Sequence, residues 1–280
     1  MLRLAEQIGA DGALSLAGED ALVEAVAGAK AAAAALNAED LLAFATSAVR
    51  DATNAQQVLA RVRKETGVQL QVLSGADEAR MTFLATRRWF GWSAGRLLVL
   101  DIGGGSLEVA AGVDEDPDIA LSLPLGVGRL TRDRLGVHPD STAPPSAQAV
   151  KELQEYVETA LDPVAVRMGQ VGWERPVATS KTFRTLARLA GAAPSAEGLW
   201  ARRSLSRVGL RQVLGFIRHI PPVKVAELEG VGASRAHQVL AGAVVAEATM
   251  RRLGIETLEI CPWALREGVI LRRLDQLEPA

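Results

Sequence analysis

Two acids bracket a run of glycines in the middle of the chain: Asp101, Gly103, Gly104, Gly105, Ser106 and Glu108, within LLVLDIGGGSLEVAAG at residues 97–112. Glycines tolerate positive φ and carry no side chain, so successive backbone N–H groups can converge on a phosphate. Ser106 adds a hydroxyl donor. Asp101 and Glu108 are hard oxygen ligands of the kind a Mg²⁺ ion takes beside a phosphate. A glycine-rich hairpin turn explains the glycines equally well, but a structural turn needs neither acid. The pattern is not a Walker A loop, because no Lys-Ser or Lys-Thr follows the glycines and the chain continues as strand.

The elements that must position these residues follow from periodicity. Leu97 to Leu100 form an apolar run suited to a buried strand that ends on Asp101. Alternation on the return strand puts Glu108 on the face opposite Leu107 and Val109. Upstream, residues 1–7 read as an edge strand before a turn, 19–36 as a helix closed by a left-handed Asn37, and 41–46 as a buried strand. Ser47, Arg50 and Asn54 come directly after that strand, at the edge where open α/β sheets place ligands, although turn and capping chemistry account for them too. A helix over 56–64 and a strand over 68–73 follow. Residues 75–89 read as a helix with Asp77 and Glu78 in its first turn, where carboxylates complement the dipole. Glu78 can be catalytic only if the fold brings it to the glycine hairpin. Trp89, Phe90 and Trp92 end the first half, which places a domain boundary between residues 1–94 and 95–280.

Past the hairpin, a strand over 119–125 leads into a second glycine turn, GVGR at Gly126 to Arg129, which offers a cation to a phosphate. Helices over 128–135 and 147–168 and a strand over 177–179 precede a helix from Ser180 to about Gly191. Its free N–H groups and Lys181 suit an anion, and a simple capped helix explains them equally. Residues 192–207 read as irregular. Helices over 209–219, 223–229 and 233–253, a strand over 258–260 and a last helix from Cys261 complete an α/β chain.

Composition limits the function classes. The 280 residues are 49% hydrophobic with a formal net charge of −2, so no global attraction draws the chain to DNA or to an anionic membrane. One cysteine, Cys261, permits no intrachain disulfide and no cysteine zinc cluster, which suits a reducing cytoplasm. The N-terminal residues lack the signature of a secretory leader, and the Ala-rich segment over 21–36 is too short and polar to span a bilayer. His138, His219 and His237 lack metal-ligand spacing, and no GxSxG elbow occurs.

Several of these stretches together resemble the Ppx/GppA phosphatases, the exopolyphosphatases and guanosine pentaphosphate phosphohydrolases of the actin-like ATPase superfamily. They are ATSAVRDATN at 45–54, SGADEAR at 74–80, LDIGGGSLE at 100–108, SLPLGVGRLT at 122–131, ATSKTFRTLARLAG at 178–191, a glycine-alanine helix around Gly242, and ALREG at 264–268. The resemblance implies a ribonuclease-H-like fold in two lobes with the active site between them. It also implies hydrolysis of a terminal phosphate of inorganic polyphosphate or pppGpp with Mg²⁺, or Mn²⁺ in its place. By the same resemblance Glu78 is the base that deprotonates water, and Asp101 and Glu108 serve the metal. Gly103, Gly104, Gly105 and Ser106 form a phosphate loop, Arg50 is a cation on the phosphate chain, and a homodimer is expected.

Two departures from the family pattern shape these expectations. The chain begins after the first phosphate loop, DxGSNT, so the N-terminal lobe is expected to be incomplete, through a start assigned too far downstream or a shortened paralogue. It also stops soon after ALREG, which implies a short form acting on short chains or nucleotides. The competing readings are a catalytically silent protein that binds pppGpp or polyphosphate, and an actin-like sugar or acetate kinase.

Overall fold

The computed structural model describes residues 2–277, which fall into two compact units, Met1–Gly75 and Ala76–Ala280. Residues 278–280, which belong to the expected early stop, lie outside the described residues. The division falls after Gly75 and not near residue 94. Helix α4 (Gly75–Phe90) accounts for the difference, because Ala79 and Phe83 pack with Leu97, Val99, Ala110, Val177 and Cys261 of the second unit. Burying that helix face against the sheet commits α4 to the unit whose core it completes.

In the first unit, Ser15 starts helix α1 (Leu16–Ala35) by accepting the Gly18 N–H at 3.1 Å, and Asn37 leaves it with φ 50°. Strand β1 (Phe44–Ala45) pairs in parallel with β2 (Gln71–Val72), with α2 (Ser47–Arg50) and α3 (Ala55–Thr66) between them. Leu14, Leu22, Val49, Val58 and Val62 form its core. Both strands are shorter than the apolar runs predict, and Leu41, Leu42 and Val72 are exposed. The opening residues make a 3₁₀ turn, Leu4–Gln7, in place of a strand, with Arg3 and Glu6 paired across it at 3.1 Å. Asn54 precedes α3 without capping it. Its amide instead bonds both backbone groups of Leu14, at 2.8 and 3.0 Å, tying that end of α3 to the start of α1.

The second unit is built on a six-stranded sheet of order β5-β4-β3-β6-β8-β7. Strands β3 (Leu97–Ile102), β4 (Leu107–Gly112) and β5 (Ile119–Leu123) form an antiparallel meander. Strands β6 (Arg175–Thr179) and β8 (Thr257–Ile260) add in parallel to β3, and β7 (Ser204–Ser206) closes the edge antiparallel to β8. A meander followed by crossover strands parallel to its first member is the ribonuclease-H-like arrangement. Helices α5 (Val127–Leu130), α6 (Ala147–Val171), α7 (Ser180–Leu189), α8 (Arg207–Ile217), α9 (Pro222–Val225), α10 (Val239–Arg252) and α11 (Leu265–Leu277) complete it.

Strand alternation divides the core into two layers. Leu98, Leu100, Ile102, Leu107 and Val109 face one layer together with α6, α7, α8 and α10, while Leu97, Val99, Ala110 and Val177 face α4. Asp101 has the parity of Leu97 and Val99, and Glu108 that of Ala110. Both acids therefore stand on the face that α4 covers. Close approaches hold the helices in place. A Cβ on Gly268 of α11 would overlap the Met81 carbonyl of α4, and one on Gly242 of α10 would lie 2.6 Å from Thr182 Cγ2. Arg87, buried near the end of α4, donates to the carbonyls of Gly91, Gly95 and Gly112 and so pins the helix to the end of the hairpin where β3 begins and β4 finishes. Among the described residues no helix is long and apolar enough to cross a membrane.

Candidate active site

The hairpin register carries the site. Asp101 of β3 lies directly opposite Glu108 of β4, and Glu108 in turn lies opposite Ser122 of β5. Directly opposed residues on one sheet face hold their Cβ atoms within about 5 Å of each other. Burial and then the charge of Glu78 push the Asp101 carboxyl up to about 7, against the pull of Arg184. Burial, then Asp101 and Glu78, push Glu108 up to about 8, while hydrogen bonds from Ser106 and Ser122 act in the opposite sense. Three acids thus share one electrostatic neighbourhood, and Glu78, only 6% exposed, belongs to it because α4 covers their face.

The glycine loop turns between the two strands and is clamped from behind. Gly103 N–H closes it by donating to Ser106 O at 2.9 Å. The Gly103 carbonyl accepts from Val127 N at 3.0 Å, and the Gly104 carbonyl accepts from Gly128 N and Arg129 N at 2.9 and 3.1 Å. The Gly105 carbonyl accepts from Arg129 Nε at 3.0 Å. In a planar trans peptide the N–H points opposite to its carbonyl. The N–H groups of Gly104, Gly105 and Ser106 therefore turn away from α5. Gly126 allows the clamp, since a Cβ there would overlap the Gly105 backbone and Ser106 N.

Three expectations need correction. Gly103, Gly104 and Gly105 are not among the glycines with positive φ, so the loop requires them for the room they leave and not for left-handed backbone. The Ser106 hydroxyl lies close enough to Glu108 to oppose the rise in its pKa, so it is not given over to a phosphate alone. Arg129 bonds the back of the loop.

Cations stand near the acids. Lys181 and Arg184 lie in the first turns of α7, after the C-terminal end of β6, which is parallel to β3. Partial burial, then the charges of Arg235, Arg184 and Arg266, lower the Lys181 pKa, so these four side chains form one positive group. Thr182 of the same helix donates to Ile102 O at 3.0 Å, tying α7 to the strand end that enters the loop. Ser180 takes a left-handed φ of 79°, uncommon for a residue other than glycine. Arg50 lies in the other compact unit, where it donates to Leu73 O at 2.9 Å and pairs with Asp51 at 3.1 Å.

Raised carboxyl pKa values have a measurable consequence. Unfolding returns Asp101 and Glu108 to the ordinary carboxylate range, so between roughly pH 4 and 8 the folded state holds more protons and stability falls as pH rises. In metal-free buffer, denaturant unfolding at about pH 5.5 and about pH 8.5 is expected to show this loss, and Asp101→Asn to reduce it. An equal loss in both proteins would mean that the acid pair does not carry it.

The fold and the site define a class: a ribonuclease-H-like domain whose first hairpin holds paired acids around a phosphate-type glycine loop. The Ppx/GppA phosphatase family model matches residues 1–277, and the chain belongs to that family. Exopolyphosphatase 1 of Mycobacterium tuberculosis is 56% identical over 275 residues, covering 98% of this chain and 78% of the relative. Guanosine-5'-triphosphate,3'-diphosphate pyrophosphatase of Photobacterium profundum is 28% identical over 246 residues, covering 86% of this chain and 46% of the relative. The crystal structure of an exopolyphosphatase from Cytophaga hutchinsonii superposes with a TM-score of 0.83 at 22% identity, covering 95% of this chain and 85% of that one, and bears on the fold alone.

Proposed function

We propose that this protein is a phosphohydrolase that releases the terminal phosphate of short inorganic polyphosphate or of guanosine pentaphosphate. The observation that carries this reading is the cross-strand pair of Asp101 and Glu108, with Glu78 close enough to shift both and with loop N–H groups turned away from their clamp beside them. Family membership and the 56% identical exopolyphosphatase support the same chemistry.

The residues divide the work as phosphoryl transfer requires, by positioning and charge neutralisation. Glu78 orients a water and takes its proton as the water oxygen bonds to the terminal phosphorus. The bond from that phosphorus to the bridging oxygen breaks, and the electron pair leaves on the shortened chain. The N–H groups of Gly104, Gly105 and Ser106 hold phosphate oxygens, and Gly103 keeps the approach open. Lys181, Arg184, Arg235 and Arg266 supply positive charge for the remaining phosphates. The role of Arg50 as a phosphate cation rests on its motif alone.

Asp101 and Glu108 fit a divalent cation. Two repelling, partly desolvated carboxylates are relieved by one, and Mg²⁺ is commonly held by one or two carboxylates with water and substrate phosphates for the rest. Bound there, Mg²⁺ or Mn²⁺ would neutralise charge on the phosphates. Incubating the purified chain with short polyphosphate or with pppGpp is expected to release orthophosphate with Mg²⁺ and none after chelation. Mg²⁺-dependent binding of both compounds without release would contradict the reading and favour a silent binding protein.

A further inference from the structure

The edge strand β5 sends one polar side chain into this machinery. Ser122 lies opposite Glu108 in the ladder and donates to its Oε1 at 2.8 Å. The other oxygen, Oε2, faces the glycine loop, since a Cβ built on Gly103 would lie 4.0 Å from it. Glu108 is buried, whereas Ser122 is exposed. A solvent-facing serine on an edge strand contributes little to a core, so its hydrogen bond is the feature that sets it apart. A glutamate side chain has three rotatable bonds, and fixing them costs entropy at the moment a ligand is bound. Anchoring one oxygen in advance lowers that cost.

We propose that Ser122 is a positioning residue, whose hydroxyl holds one oxygen of Glu108 so that the other is presented to the divalent cation beside the glycine loop. The proposal rests on the reading of Glu108 as a metal-facing acid. Ser122 acts through Glu108 and touches no reacting atom.

Direct Mn²⁺ binding, followed by loss of the free-ion electron paramagnetic resonance signal, tests it on the full chain. Ser122→Ala is expected to bind Mn²⁺ about threefold to tenfold more weakly, on the scale of one hydrogen bond, with the metal-free unfolding midpoint lowered by no more than the loss of that bond. Half-saturating metal for phosphate release should rise in the same proportion, with kcat at saturating metal within about twofold of the unaltered protein. Ser122→Thr keeps the hydroxyl on a β-branched residue suited to a strand and should restore binding. Wild-type Mn²⁺ affinity in Ser122→Ala overturns the proposal, as does a lowered midpoint that Ser122→Thr fails to rescue. Absence of Mn²⁺ binding by the unaltered protein overturns the metal reading of Glu108 and the proposal with it.

Discussion

Glu78→Gln is expected to lower the rate of phosphate release by about a hundredfold to ten-thousandfold, the range a positioned general base contributes. The amide keeps the size of the carboxylate and its place on α4 but cannot accept the proton from water. Folding should survive. Glu78 is buried beside two other acids, and its charge raises the pKa of both, so its neutralisation relieves repulsion that ionised carboxylates feel at neutral pH. An unfolding midpoint at or above that of the unaltered protein, with kcat lost and Mn²⁺ binding retained, separates a lost base from a lost structure. Full activity in Glu78→Gln would remove Glu78 from the chemistry.

The second large effect concerns the clamp behind the loop, where two glycines separate stability from activity. Gly126→Ala puts a methyl group into the backbone of Gly105 and Ser106, which no rotamer change can relieve. Overpacking of this kind costs about 1–3 kcal/mol, and here the strain falls on the segment whose N–H groups must converge. Stability and phosphate release should both fall. Gly103→Ala places its methyl 3.5 Å from Ser106 O, an ordinary contact, and Gly103 does not have a positive φ. That variant should stay within about 0.5 kcal/mol of wild-type stability while losing activity, because the methyl occupies space beside Glu108 Oε2 that ligands need. Denaturant titrations paired with phosphate-release assays read both outcomes. Equal loss of stability in the two variants would contradict the division between clamp and cradle.

The hairpin was legible from local sequence because its signals are local: an apolar run, an acid, glycines and a returning strand. The ends of β3 and β4 fall at Leu97–Ile102 and Leu107–Gly112 within the stretch read from residues 97–112. Asn37, expected at a helix end, does adopt positive φ. The short edge strand β7 went unread since Ser204–Ser206 buries only Leu205, too little to set a period. The long helix expected over 233–253 opens instead as a 3₁₀ segment, Ala233–Gln238, before α10. Nothing local marked Ser122 either. Its contact with Glu108 depends on the register of β5 against β4, which a single strand's sequence does not specify. The clamp formed by Gly126 and Arg129 is likewise long-range, joining residues that only the fold places back to back. The compact units divide after Gly75 and not at the aromatics that end α4, because Ala79 and Phe83 commit that helix to the sheet that follows.

In the proposed reaction Glu78 directs water onto the terminal phosphorus of a phosphate chain. Its most direct test is turnover of short polyphosphate in heavy-oxygen water with Mg²⁺, followed by mass analysis of products. Water attack at the terminal phosphorus predicts one heavy oxygen in each orthophosphate released and none in the shortened chain, with the labelled product lost in Glu78→Gln. Heavy oxygen in the shortened chain, or labelled orthophosphate formed at the wild-type rate by Glu78→Gln, would contradict it.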